Sequence, residues 1–305
     1  MTREEKNKKK QKKIVAEEKK KRAKKKVKKS IKVIIVILII IASLFFINKF
    51  VATKKIIVKE KRIVNKKIPD NFSGIKIIQF SDLKYGSNIF IKDLSNIVNL
   101  INSKKPDIVL FTGDLVDNDY KLSKKDKETL IKNLSKIKSK MGKYAVFGNE
   151  DNLDYNIILN QSNFTLLNNS HDLIYKDGQT PILLVGIASL LNNNSDIKKA
   201  FSFQDKKLNY YDFYTIVMFH EPDLADEILK NYDVDLLLAG HSHNGYTSIP
   251  FINKYIKIDG ATKYYKNYYQ LNDTDFYISS GLGTDGIGVR FLCHPSINLF
   301  RLSSK

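Results

Sequence analysis

Apolar and polar positions fall into blocks whose spacing changes along the chain. Residues 3–32 are almost wholly polar, and residues 33–47 carry no charge. From residue 75 onward, short apolar runs of strand length recur at 75–80, 107–111, 143–147, 213–219 and 234–239. Between them, residues 90–101, 123–140 and 223–231 carry apolar residues at helical spacing, as with Leu130, Ile131, Leu134 and Ile137. Residues 164–190 read as strands with a turn at Asp177-Gly178. The tail, 255–302, alternates strands with Gly-rich turns and predicts a second, mostly antiparallel sheet. Alternating strands and helices predict an α/β layered domain, with no internal repeat.

Composition sharpens the first fifty residues most. The chain has 305 residues, is 43% hydrophobic and carries a net charge of +20. Residues 1–32 hold 17 Lys or Arg against four Glu, so +13 of that charge sits in the tail. The basicity is therefore a tail property. No aromatic residue is interleaved there to stack on bases, which argues against a specific nucleic-acid partner. The run ends at an apolar segment, so anionic lipid headgroups are the expected partner. Fifteen residues are short for a span of roughly 20, but the flank through Ala52 restores the length, with Lys32 and Lys49 snorkelling. No small-residue cleavage site ends the run, which predicts an uncleaved single-pass anchor in a cell membrane. The Lys excess before it predicts a cytoplasmic N-terminus and an extracellular main domain. The expected organisation is a basic tail (1–32), an anchor (33–52), a stalk with an entry strand (53–74) and the main domain (75–305). Cys293 is the only cysteine, so no internal disulfide is possible.

Polar, metal-competent residues follow the predicted strands. They are Asp82 and Lys84, Asp114 and Asp117, Asn149 and Glu150, His220, and His241 with His243. In open α/β sheets the carboxyl ends of strands converge on one crevice. Asp82, Asp114, Asn149, His220, His241 and His243 would then meet in one place. Carboxylate, amide oxygen and imidazole together suit divalent Mn, Fe or Zn. Taken singly, an Asp after a strand is usually a cap and a lone His usually a satisfied core residue; concurrence across five loops is what argues for a site. His171 in a hairpin reads as structural, and Cys293-His294 as a poor metal pair.

The order Asp82-x-Lys84, Gly113-Asp114-x-x-Asp117, Gly148-Asn149-Glu150-Asp151, His220-x-Pro222, Gly240-His241-Ser242-His243 resembles the calcineurin-like metallophosphoesterases. The ending 278–284, with Arg290 and Pro295, resembles their exported or membrane-anchored bacterial branch. The resemblance, over about residues 70–303, implies an αββα sandwich of two mixed sheets flanked by helices. It implies hydrolysis of phosphomono- or phosphodiesters, with lipid-linked or cell-envelope phosphates among the expected substrates. It also implies a first metal site on Asp82, Asp114, His243 and residue 84, and a second on Asp114, Asn149, His220 and His241.

Two positions depart from that pattern. Lys84 and Glu150 stand where the family has a ligand His and an acid His that the residue matching Asp117 orients. A protonated Lys cannot ligate a metal. Three readings stay open: one tight ion with Lys84 gripping phosphate, two ions with the first held weakly, or a binding or sensor module for a phosphate-bearing ligand. The paired changes suggest a Lys84–Glu150 ion pair. Glu150 beside Asp117 could be a raised-pKa acid, a role lost if Lys84 neutralises it. Tyr264, Tyr265, Tyr268 and Tyr269 form either an amphipathic wall near the headgroups or a plain strand–turn–strand core.

Overall fold

The computed structural model describes residues 3–50, 52–178, 180–203, 208–246, 257–285, 290 and 293–305. They form two compact units, Met1–Asn48 and Lys49–Lys305.

The first unit is one helix, α1 (Arg3–Phe50), which runs on from the basic residues into the apolar ones. Successive residues Val33, Ile34, Ile35, Val36 and Ile37 are each about half exposed, so the helix is apolar all round and buries no face. It is long and apolar enough to cross a membrane.

In the second unit two six-stranded sheets lie between helices. The first has strands in the order β1 (Ile57–Val64), β12 (Ser296–Ser303), β2 (Lys76–Phe80), β3 (Ile108–Phe111), β4 (Lys143–Ala145) and β5 (Thr165–Leu166). The second runs β10 (Tyr268–Leu271), β11 (Thr274–Ile278), β9 (Leu236–Ala239), β8 (Thr215–Met218), β7 (Ile182–Gly186) and β6 (Ser170–Ile174). The central strands β3, β7, β8 and β9 are buried along their whole length because both faces are covered. Ile77, Leu110, Ile216 and Leu238 pack between the sheets. Their neighbours Ile78, Val109 and Phe111 face Leu94, Ile97 and Leu130 of α2 (Ile91–Ser103) and α3 (Lys124–Leu134). On the far side, Val217 and Leu237 pack with Ala225 and Ile228 of α5 (Ala225–Asn231). This is the αββα sandwich that the resemblance implied.

Three expectations change. The tail does not build an antiparallel sheet of its own. β10 and β11 join the second sheet, where β11, β9, β8 and β7 run parallel, while β12 crosses into the first sheet between β1 and β2. Parts of that tail, 255–256, 286–289 and 291–292, lie outside the described residues. The segment 53–74 is less a stalk than part of the fold: β1 pairs in parallel with all of β12, and Ile63, Ile68 and Phe72 are buried. The helix expected over 123–140 stops at Leu134, and α4 (Leu153–Gln161), capped by Asn152, was not anticipated. Tyr264 and Tyr269 follow the plain reading, while Tyr268 stays exposed. Tyr264 is buried and donates to Asp226, and the Tyr269 hydroxyl accepts the N–H groups of Tyr265 and Lys266.

Gln79 ties the sheets together beneath the strand ends. Its side-chain amide donates to the Ala239 carbonyl of the other sheet at 2.9 Å, and its oxygen accepts from Asn298.

Candidate metal centre

The loops leaving β2, β3, β4, β8, β9 and β11 meet above Gln79, at the carboxyl ends of parallel strands in both sheets. Their backbone is strained where the chemistry sits. Asp82, Lys84, Asp114, His241 and His243 all have positive φ, between 47° and 65°. Each such non-glycine residue costs on the order of 1–3 kcal/mol, which the packed sandwich must absorb. Gly113 (φ 95°) lets two loops touch, since a Cβ there would meet His220 Nδ1 and Gly148 N at 2.6 Å.

Asp114 divides the centre. On one side stand His220, His241 and Asn149. His220 Nδ1 donates to the Thr112 carbonyl at 2.6 Å, and His241 Nε2 donates to the Asp259 carbonyl at 2.6 Å. A carbonyl can only accept, so each outer nitrogen carries a proton, and in the neutral ring the inner nitrogen is the one that offers a lone pair. Ligand atoms of Asp114, His220 and His241 lie within 4.8 Å of one another. His220 Nε2 sits 3.4 Å from Asp114 Oδ2 and makes no hydrogen bond, and the buried Asn149 Oδ1 has no partner either. Buried acceptors are normally satisfied. This donor set fits a divalent cation. Burial disfavours charge on His220, but Asp114 and Asp82 outweigh it and hold its pKa well above the usual value. Burial and the His220 charge lower that of His241, keeping it neutral.

On the other side stands a buried ammonium. Lys84 Nζ donates to Asp114 Oδ2 at 2.7 Å, to Asp285 Oδ1 at 2.9 Å and to Glu150 Oε1. Burial acts to lower its pKa, but Asp114, Asp285 and Glu150 together push it above the ordinary range. The Lys84–Glu150 pair therefore forms. Even so, burial and the Asp114 charge outweigh Lys84 and leave the Glu150 carboxyl raised. Glu150 Oε2 accepts the Asn118 N–H at 2.9 Å, while Asp117 Oδ1 takes the N–H of Asp119. Asp82 lies across the centre, accepting the His241 backbone N–H. His243 Nε2 is 3.3 Å from Asp82 Oδ1 and 3.2 Å from Asp285 Oδ2.

Against this geometry, a family model described as calcineurin-like phosphoesterase matches residues 75–245. The chain belongs to the calcineurin-like phosphoesterases. Among the relatives of this phosphoesterase is YkuE of Bacillus subtilis, an uncharacterised metallophosphoesterase, 30% identical over 84% of this chain and 88% of that one. A zebrafish transmembrane protein with a metallophosphoesterase domain is 25% identical over 79% of this chain and 56% of its own length. Among solved structures, the Bacillus subtilis calcineurin-like phosphoesterase YfkN matches with a TM-score of 0.40 at 10% identity, over 70% of this chain and 86% of that one.

The fold brings Asp82, Lys84, Asp114, Asn149, Glu150, His220, His241 and His243 to one centre, with Asp117 at its rim. His171 stays apart, hydrogen-bonded to the Ala200 carbonyl. Cys293 donates its thiol to the His243 carbonyl, so it braces a loop. Sequence reasoning missed Asp285. The rule that found the others, polar residues beyond a strand's carboxyl end, applies to it as well, since it follows β11 through Gly281-Leu282-Gly283-Thr284. Gly283 packs so closely that a Cβ would lie 2.5 Å from that of Lys84, and its N–H donates to the Asp82 carbonyl at 2.7 Å.

Proposed function

We propose that this phosphoesterase hydrolyses phosphomono- or phosphodiesters with a divalent ion held by Asp114, Asn149, His220 and His241. The observation that carries the reading is the pair of buried, unpartnered atoms, Asn149 Oδ1 and His220 Nε2, beside the Asp114 carboxylate. A divalent ion bound there polarises a phosphoryl oxygen and makes water nucleophilic at neutral pH. Lys84 grips a second phosphoryl oxygen as a point charge. Glu150, with its raised pKa, gives a proton to the leaving oxygen, and the Asp117 turn holds it through the Asn118 N–H.

The same proposal places the enzyme on a membrane. Support comes from α1, apolar all round over 33–46, and from the +13 tail before it, which favours a cytoplasmic N-terminus and an external catalytic unit. Relatives named as transmembrane proteins with this domain are consistent with an anchor. Substrates at that face are lipid-linked or cell-envelope phosphates, and the tail meets anionic headgroups.

A second reading has one observation in its favour. The Lys84 network is closed within the protein, as suits a module that binds a phosphate-bearing ligand without turning it over. One assay separates the two. Metal-stripped full chain in detergent is given Mn, Fe or Zn and offered bis(4-nitrophenyl) phosphate and 4-nitrophenyl phosphate. Metal-dependent turnover that His220→Ala abolishes is expected. No turnover with any metal, together with thermal stabilisation by inorganic phosphate, would favour the binding module. Protease added to intact, wall-stripped cells should digest the catalytic unit and spare the tail; a protected catalytic unit would reverse the topology.

A further inference from the structure

We infer that only one ion occupies the centre, and that the Lys84 ammonium is the fixed second cation on the side formed by Asp82, His243 and Asp285. This rests on the metal-dependent reading above and specifies it.

The first ground is the ammonium itself. It has three N–H donors, and Asp114, Asp285 and Glu150 supply three carboxylates for them. Asp285 lies outside the expected ligand set. Its loop is laid against the Asp82–Lys84 loop by the Leu282 N–H on the Ser81 carbonyl and the Gly283 N–H on the Asp82 carbonyl. A carboxylate delivered there matches a lysine and would be superfluous to an imidazole.

The second ground is the direction in which His243 points its proton. His220 and His241 have carbonyls behind them, but His243 has a guanidinium. Arg290 Nη2 lies 2.8 Å from His243 Nδ1, and the guanidinium also donates to the Ser280 and Gly283 carbonyls. A guanidinium can only donate, so Nδ1 is the acceptor and the ring proton sits on Nε2, facing Asp82 and Asp285. The inner nitrogen of His243 is therefore a donor and not a ligand. Lys84 and His243 thus fill this side with N–H groups, whereas the neutral rings of the opposite side present lone pairs.

The chemical consequence falls on substrate binding. Of the three carboxylates on Lys84, Asp285 is the most exposed, at 34% for the side chain against 19% for Glu150 and 1% for Asp114. A phosphoryl oxygen takes the N–H that Asp285 releases. Lys84 is then a binding group whose loss weakens phosphate without changing the ion count.

The test is equilibrium dialysis of the full chain in detergent against Mn2+, with metal quantified per chain, on wild type, Lys84→Met and Lys84→Arg. One ion is expected in all three. Inorganic phosphate affinity should fall about tenfold or more in Lys84→Met and less in Lys84→Arg. Two ions in wild type would overturn the inference while leaving the metal-dependent reading intact. No bound ion would overturn both. If Lys84→Met does not fold, the wild-type count and Lys84→Arg still decide. Unchanged phosphate affinity in Lys84→Met, or in Lys84→Arg if that alone folds, with one ion present would remove the lysine from the substrate site.

Discussion

The two sides of Asp114 answer the same electrostatic problem in opposite ways. On the His220 side, His220 Nε2 and Asn149 Oδ1 converge beside the Asp114 carboxylate with no hydrogen bond of their own. On the Lys84 side the protein brings its own cation and three carboxylates to surround it. What separates them is the group behind each histidine. Carbonyls of Thr112 and Asp259 turn lone pairs inward, and Arg290 turns a proton inward. A ligand set is therefore not a list of residue types. The outer partner decides whether an imidazole is a ligand or a donor.

The largest effect should come from breaking the lone-pair side. His220→Ala is expected to lose the bound ion and turnover together, by more than the roughly 10–100-fold that removing an outer partner costs. Metal content measured alongside rate checks it; wild-type values for both would dissolve the comparison.

The next prediction rebuilds the other side. Lys84→His alone should still bind one ion, because Arg290 keeps His243 protonated inward. Lys84→His with Arg290→Gln frees that nitrogen and should admit a second Mn2+. Calorimetric titration counts the sites, and a second ion with Lys84→His alone would refute the tautomer argument.

Glu150→Gln should cut the rate by about 10²-fold or more by removing the acid, and should flatten the alkaline limb of the pH–rate profile. An acid whose pKa is raised works below that pKa and fails as pH climbs through it. Since Lys84 lowers the Glu150 pKa, Lys84→Met should move the same limb to higher pH. A limb that stays in place would mean the two side chains do not share a site.

Most of the fold was legible because short unbroken apolar runs marked the buried strands and helical spacing marked the segments between them. The strand-end residues were legible because they share one position relative to those runs. Sheet membership was not. β12 crosses to lie beside β2, a choice set by long-range pairing that no local period records. β1 was legible only as an entry strand, since its polar Lys59, Glu60 and Lys61 hide a full pairing with β12. Asp285 escaped because its loop looked like turn residues alone. The direction of the His243 proton could not be read either, since it depends on a guanidinium forty-seven residues away.

The smallest effect concerns a second buried lysine. Lys143 Nζ donates to the Leu134 and Ser162 carbonyls and lies 4.8 Å from the Phe164 ring centre. Burial lowers its pKa to about 8, opposite in direction to Lys84. The unfolded lysine holds its proton to about 10.5, so the folded form is penalised below pH 8 and relieved between 8 and 10.5. Denaturant unfolding should therefore show stability rising across that window, and Lys143→Met should remove part of the rise.

The most direct test of the one-ion centre is electron paramagnetic resonance of the Mn(II)-saturated chain. An isolated, uncoupled Mn(II) spectrum is expected, unchanged in form as Mn(II) is raised to excess over protein. The signature of a spin-coupled Mn(II) pair would contradict the account, since it would put an ion where Lys84 and the His243 proton now stand.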